Sequence, residues 1–202
     1  MNVVFLSKEF RDGEAVSEYC KSIANKLVER EDKASIVAFD DGSYYSVNEK
    51  IDVRRVPMTF EGSNIYNWAM MLNNQIKGEV KDIIEEKEVD IIHANDWATI
   101  PGGITLSKHL EVPLVVTVHS TENERGFDGK HAGLISELEW KGGFEAERVF
   151  ATNEDTKNSL LFDLEVPGEK VVVADPYAPE WQQTILKQYD EIKHKKARSE
   201  IT

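Results

Sequence analysis

The stretch VDIIHANDWATIPGGITLSKHLEVPLVVTVHSTE, residues 89–122, decides how the chain is read. It divides into strand, loop, helix, strand and loop. Val89 to His93 is an apolar run of strand length. Pro101 and two glycines follow, then an apolar-periodic segment from Ile104 to Leu110, which Pro113 stops. Leu114 to Val118 is a second run, β-branched and interrupted only by Thr117. Continuous apolar strands joined by a helix predict a parallel sheet buried on both faces. His93, Asn95, Asp96, Trp97, His119, Ser120, Thr121 and Glu122 all fall at or beyond the carboxyl ends of these two strands. Open α/β sheets bind their ligands at that edge.

Working outward, Asn2 to Ser7 reads as a strand. A helix near Glu14 to Arg30 carries Val16, Tyr19, Cys20, Ile23, Ala24, Leu27 and Val28 at helical spacing. Ala34 to Phe39 closes a βαβ unit, and Asp40, Asp41 and Gly42 form a turn. Ile51 to Val56 is a strand ended by Pro57. A long helix spans Ile65 to Lys87, with Gly78 as a weak point. Beyond the central stretch, a glycine-containing loop from Asn123 to Lys130 leads to a helix through Leu134, Leu138 and Trp140. Gly142 and Gly143 are expected to break or kink that helix. Arg148 to Thr152 is a strand, Asn153 caps a helix reaching Leu164, and Lys170 to Ala174 is the last strand. The alternation predicts a doubly wound, mostly parallel α/β sheet of six or seven strands, Rossmann-like, with helices on both faces. This domain is assigned residues 1–174. Residues 175–202 form a tail in which Trp181, Ile185, Tyr189 and Ile192 make one apolar stripe, and the polar end from His194 to Thr202 frays.

The net charge of -13 argues against a general nucleic-acid surface. One cysteine, Cys20, allows no intrachain disulfide and suggests no metal site. Neither a metal nor another cofactor is expected. No signal peptide stands at the start and no apolar run is long enough for a bilayer, so a cytoplasmic location without membrane contact is expected.

Three loops carry chemistry. In SKEFRDGEA, residues 7–15, Gly13 opens the first helix, where unpaired N–H groups and the positive dipole end suit a phosphate and Arg11 adds charge. The alternative is a glycine that only permits the turn. The GxGxxG pattern of dinucleotide sites is absent. In the second loop, Asp96 either faces a ligand or caps a helix starting near Trp97. Trp97 either packs or stacks on a ligand, and His93 is either a core histidine or part of the site. In the third, His119 either donates to a sugar hydroxyl or takes a proton, or is only a hydrogen-bonded loop histidine, with Glu122 close behind.

These residues carry a resemblance. DIIHANDWATIPGG, residues 90–103, is similar to the HAHDW strand-loop of glycogen and starch synthases and related retaining glycosyltransferases of the GT-B fold. VPLVVTVHSTE, residues 112–122, resembles their following Pro-hydrophobic-TxH strand. ELEWKGGFEAERVFATNE, residues 137–154, resembles their EW…EA helix-strand, and RDGEA, residues 11–15, sits where they carry Lys-x-Gly-Gly. The resemblance covers residues 1 to 173.

It implies transfer of a hexose from a nucleotide diphosphate sugar to a glucan or other hydroxyl acceptor, in a cleft between two Rossmann-like domains. This chain corresponds to the amino-terminal, acceptor-side one. By that resemblance His119 and Asp96 are the catalytic candidates, at the donor sugar and its hydroxyls. Arg11 and Gly13 lie against the diphosphate, and His93, Asn95, Trp97 and Glu122 complete the substrate-binding set. The sequence departs from the pattern at Asn95, where a histidine is common, and at Glu14, which replaces the second glycine and sets a carboxylate beside an anion. By the resemblance, the second, donor-binding domain is expected to have been excised from this chain and the crossing helix retained. DPYAPEWQQTILKQYDEIK, residues 175–193, resembles the terminal helix that crosses back onto the amino-terminal domain in such enzymes. The implied partners are therefore a nucleotide diphosphate sugar, an oligosaccharide and a separate donor-domain chain, without which the chain is inactive. A mannosyl- or other hexosyltransferase half, or a carbohydrate-binding module without chemistry, fits the same residues.

Overall fold

The computed structural model describes residues 1–58 and 61–199. Seven strands form one parallel sheet: β1 (Asn2–Ser7), β2 (Lys33–Phe39), β3 (Ile51–Val56), β4 (Ile91–Asn95), β5 (Leu114–Val118), β6 (Arg148–Ala151) and β7 (Val171–Val173). Their order is β3-β2-β1-β4-β5-β6-β7, the doubly wound Rossmann-like arrangement. Among the described residues there are six α-helices: α1 (Ala15–Glu29), α2 (Ile65–Glu86), α3 (Ile100–Leu110), α4 (Ala132–Glu145), α5 (Glu154–Phe162) and α6 (Trp181–Ser199).

Strand alternation sends successive side chains to opposite cores. Val3 and Phe5 of β1 join one core with Ile23 and Leu27 of α1 and Ile185 and Tyr189 of α6. Val4 and Leu6 join the other, with Leu72 and Ile76 of α2, Ile100 and Leu106 of α3, and Leu160 of α5. The connections that step from β3 toward β7 place α2 to α5 on this second face, as right-handed crossovers require. Only α1 winds back onto the first face, and α6 packs beside it.

Four local expectations change. The central strand begins at Ile91, because the Asp90 carboxylate is engaged with the Asn2 amide at 2.6 Å below the sheet. Its far end includes Asn95, which stays buried because its side chain binds the Leu6 carbonyl of β1 at 3.1 Å. α4 runs unbroken through Gly142 and Gly143. Those glycines serve close packing instead: a Cβ on Gly142 would lie 2.5 Å from Ile100, and one on Gly143 2.5 Å from Val166. The tail helix holds its form to Ser199, past the start of the expected frayed end, and residues 200–202 lie outside the described residues.

Candidate functional site

All strands being parallel, the loops after β1, β4 and β5 meet on one edge. Asp96 sits there with left-handed backbone, φ 56°. It does not cap α3, whose N-cap is Thr99. Its Oδ1 accepts the His119 amide at 2.8 Å, so the loops after β4 and β5 are tied through the two catalytic candidates. The Thr152 hydroxyl donates to the His119 carbonyl at 3.2 Å. The His119 ring meets the edge of Tyr19 at 4.9 Å, and Tyr19 stacks on Trp181 at 4.4 Å. An aromatic chain thus runs from the first turn of α6 to the site. Nε2 of His119 is buried with no hydrogen-bond partner.

His93 is corrected. It lies on the strand position facing α6, is fully buried, and bonds Thr117 Oγ1 through Nε2 at 2.7 Å and the Tyr189 hydroxyl through Nδ1. Burial, with a smaller push from His119, drives its pKa down to about 3. It is a neutral core histidine that docks the tail helix, and the ligand-facing alternative falls away.

The other candidates divide. Asn95 is 1% exposed; its Nδ2 is committed to Leu6 and its Oδ1 has no partner. Trp97 is half-buried and parallel to Tyr66, with ring centroids 6.5 Å apart. Arg11 is half exposed and pairs with Glu9 at 2.9 Å. Gly13 has φ 72°, a conformation that a side chain disfavours, and so makes the turn into α1. Glu14 then caps that helix with its own carboxylate, accepting from Val16 N at 3.1 Å and from Ser17 N and Ser17 Oγ at 2.7 Å each.

Glu122 faces inward, 7% exposed. Arg125 binds its carboxylate at 2.9 Å, and its amide donates to both oxygens of Glu139 at 3.0 and 2.8 Å. Glu139, 1% exposed, also accepts from Arg125 at 2.8 Å. Loss of hydration pushes its pKa up to about 7, against the opposing Glu122 amide and Arg125, with Asp96 adding to the rise. Arg125 further donates to the Ser120 carbonyl at 2.6 Å. Glu139 and Arg125 therefore fix the loop that carries His119, and neither was among the sequence candidates. The legible signal was a carboxylate four residues after Ile135 on the helix's buried stripe.

Beside these loops lies a cleft of about 520 Å³ lined by Lys8, Glu9, Arg11, Phe39, Gly62, Asn64, Ile65 and Trp68. A smaller pocket of about 70 Å³ adjoins it through Lys8 and Glu9, and reaches Ser7, Glu14, Asn95, Asp96 and Trp97. Among the described residues no group of three or more His, Cys, Asp or Glu side chains is placed to hold a metal. No described helix is long and apolar enough to cross a membrane.

An uncharacterized glycosyltransferase of Methanocaldococcus jannaschii is 26% identical over 159 residues, 77% of this chain and 40% of that protein. The chain thus spans about 40% of that relative's length. Glycogen synthase of Mycobacterium tuberculosis is 38% identical over 47 residues, 23% of this chain and 10% of that enzyme. Sucrose-phosphate synthase of Thermosynechococcus elongatus shares the fold with a TM-score of 0.71 at 12% identity, over 87% of this chain and 48% of that one. A chain of the same synthase designated 27_220_406_426 gives a TM-score of 0.68 at 13% identity, over 96% of this chain and 98% of that one. The Anabaena protein HepE, in complex with UDP and glucose, gives 0.61 at 20% identity, over 87% and 44%. The model of Glycosyltransferase Family 4 matches residues 16–176, and the chain belongs to that family.

Proposed function

We propose that this chain is the acceptor-side half of a retaining glycosyltransferase, which transfers a hexose from a nucleotide diphosphate sugar to a glucan or other hydroxyl acceptor. The observation that carries the reading is the bond between Asp96 and the His119 amide, beside a cleft open at the sheet's carboxyl edge. In this reading the cleft takes the acceptor. His119 approaches the donor sugar at the reacting carbon with its imidazole, whose Nε2 has no partner within the chain. Asp96 sets the His119 backbone and faces the same sugar. A group that meets charge only in the transition state accelerates the reaction more than one that binds substrate equally throughout.

The donor's diphosphate falls to a second Rossmann-like chain or domain. Lys8 and Arg11, the cations of the first loop, are both paired with Glu9 at 2.9 Å, which leaves little positive charge here for a diphosphate. The synthase chain designated 27_220_406_426 reads as two spans of a longer enzyme, and its fit reaches 96% of this chain where the longer synthase chain reaches 87%. That difference supports α6 as the counterpart of a crossing helix from beyond the donor domain. HepE and its bound UDP and glucose support a nucleotide sugar as donor.

The test is complementation. The chain alone is expected to show no transfer, and mixing it with a donor-domain protein is expected to restore transfer that His119→Ala lowers at least ten-fold, or about 1.4 kcal/mol. Activity of the variant within a few fold of the parent would remove His119 from its role. Binding of maltooligosaccharides by calorimetry, with no transfer in any pairing, would instead make the chain a carbohydrate-binding module.

A further inference from the structure

Helix α4 buries one side, with Ile135, Glu139, Gly142 and Gly143. Its other side carries Leu134, Trp140 and Phe144, which keep 44%, 46% and 59% of their surfaces exposed. Trp140 and Phe144 lie one turn apart with stacked rings, centroids 5.8 Å from each other. Large apolar side chains scattered singly are ordinary, but several along one helix face mark a contact surface. α4 starts at the carboxyl edge of the sheet and runs away from it. At 1.5 Å per residue, Trp140 and Phe144 stand about 12 and about 18 Å along the helix from Ala132. The stripe therefore lies away from the cleft.

The charges on this face say what covers it. Glu137 and Lys141 are both exposed on it, four residues apart, in the order and spacing that favour an ion pair along a helix. Among the described residues neither forms one. Beside Trp140 lies a groove of about 360 Å³ whose walls include Glu137, Asp163 and Glu165 and no cation. A fitting partner brings an apolar stripe and a lysine at matching height, and α4 of a second copy has both. With the two helices antiparallel and a two-fold axis crossing near Glu139, Glu137 is level with Lys141 of the second copy. Leu134 is then level with its Phe144, and the two Trp140 side chains meet at the centre. Each contact recurs with the copies exchanged, as a closed pair requires. The same carboxylates repel a nucleic acid or an anionic membrane.

We propose that the exposed face of α4 is a homodimer interface, in which two copies of this chain pack antiparallel through Leu134, Trp140 and Phe144 and reciprocal Glu137–Lys141 pairs fix the register. Both carboxyl edges stay open in this dimer, so each copy keeps its cleft, and the association is independent of sugar transfer. One helix face is at the small end of specific interfaces, which sets the expected dissociation in the micromolar range, with Trp140 at the centre carrying the largest share.

Sedimentation equilibrium of the 202-residue chain tests it. The parent is expected to pass from monomer to dimer between about 1 and about 100 μM. Trp140→Ala is expected to raise the dimer Kd by about ten-fold or more. Lys141→Glu sets carboxylates against each other at both ends of the interface, and Glu137→Lys does the same with lysines. Each is expected to weaken the dimer by about ten-fold or more. Mixed in equal amounts, these two charge variants regain complementary pairs and are expected to associate about as tightly as the parent. The double variant Glu137→Lys/Lys141→Glu is expected to do so alone. Circular dichroism checks that each variant is folded, and the charge variants carry the test if Trp140→Ala is not. Three results overturn the proposal: a parent still monomeric at about 100 μM, a dimer indifferent to Trp140→Ala in its folded form, or a mixture of the two charge variants that associates no more tightly than either alone.

Discussion

Glu139→Gln should change the way stability depends on pH. Burial raises the Glu139 pKa from its ordinary 4.5 to about 7. Between those values the folded chain keeps a proton that the unfolded chain has released. The resulting stability is complete below pH 4.5 and is lost as pH rises through 7. At about 1.4 kcal/mol per pH unit, the total is about 3 kcal/mol. His93 acts in the opposite sense. Its pKa falls from 6.5 to about 3, so below 6.5 the unfolded imidazole gains a proton that the folded one refuses, and stability declines with falling pH. Over pH 6.5 to 4.5 the two slopes cancel, and the parent chain should be nearly flat. The substituted amide would still offer an oxygen to the Glu122 backbone N–H while removing the titrating group, so the His93 slope is exposed. The variant should then lose about 3 kcal/mol on going from pH 6.5 to 4.5. Urea denaturation followed by tryptophan fluorescence across that range measures it. Parallel profiles for parent and variant would refute the buried, proton-holding Glu139 on which the reasoning stands.

Asp96→Ala removes the acceptor of the His119 amide and should cost about 1.5–3 kcal/mol by denaturation, with faster hydrogen exchange at His119. Tyr189→Phe leaves Nδ1 of a fully buried His93 without its hydroxyl and should cost about 1–3 kcal/mol. Gly143→Ala gains about 1 kcal/mol of helix propensity but drives a methyl to 2.5 Å from one Val166 methyl and 3.2 Å from the other. Overpacking costs about 1–3 kcal/mol, so a net destabilisation is expected in thermal melts.

The fold was legible because both signals for it are local. The runs at Leu114–Val118 and Asn2–Ser7 are apolar without alternation, and α1 shows its buried stripe at helical spacing. The edge that gathers Asp96 and His119 follows from that topology. What was illegible depends on partners distant in sequence. His93 looks like a site residue until Tyr189, 96 positions later, meets its ring. Gly142 and Gly143 look like breakers until Ile100 and Val166 fill the space against them. Glu14 looked like an obstacle to an anion, and its turn back onto Val16 and Ser17 was not visible in the sequence.

The winding of the sheet gives α6 a task of its own. Every step from β3 to β7 puts its helix on one face, so the opposite face over β4, β5 and β6 receives none from the sheet's own connections. Val115, Phe150 and the His93 ring point to that side, and α6 covers them with Ile185, Tyr189 and Ile192. Trp181, Ile185, Leu186, Tyr189 and Ile192 are each no more than 8% exposed. At about 1.5–3 kcal/mol for each buried side chain, the stripe contributes on the order of 10 kcal/mol, which is comparable to the whole stability of a domain of this kind. A chain ending at Ala174 should therefore fail to fold alone. A peptide of residues 175–199 supplied in trans should restore its circular dichroism and the Tyr189 contact with His93. If the shortened chain folds with near-parental stability, the sheet does not need the helix, and its presence must be explained at the cleft, through Trp181, Tyr19 and His119.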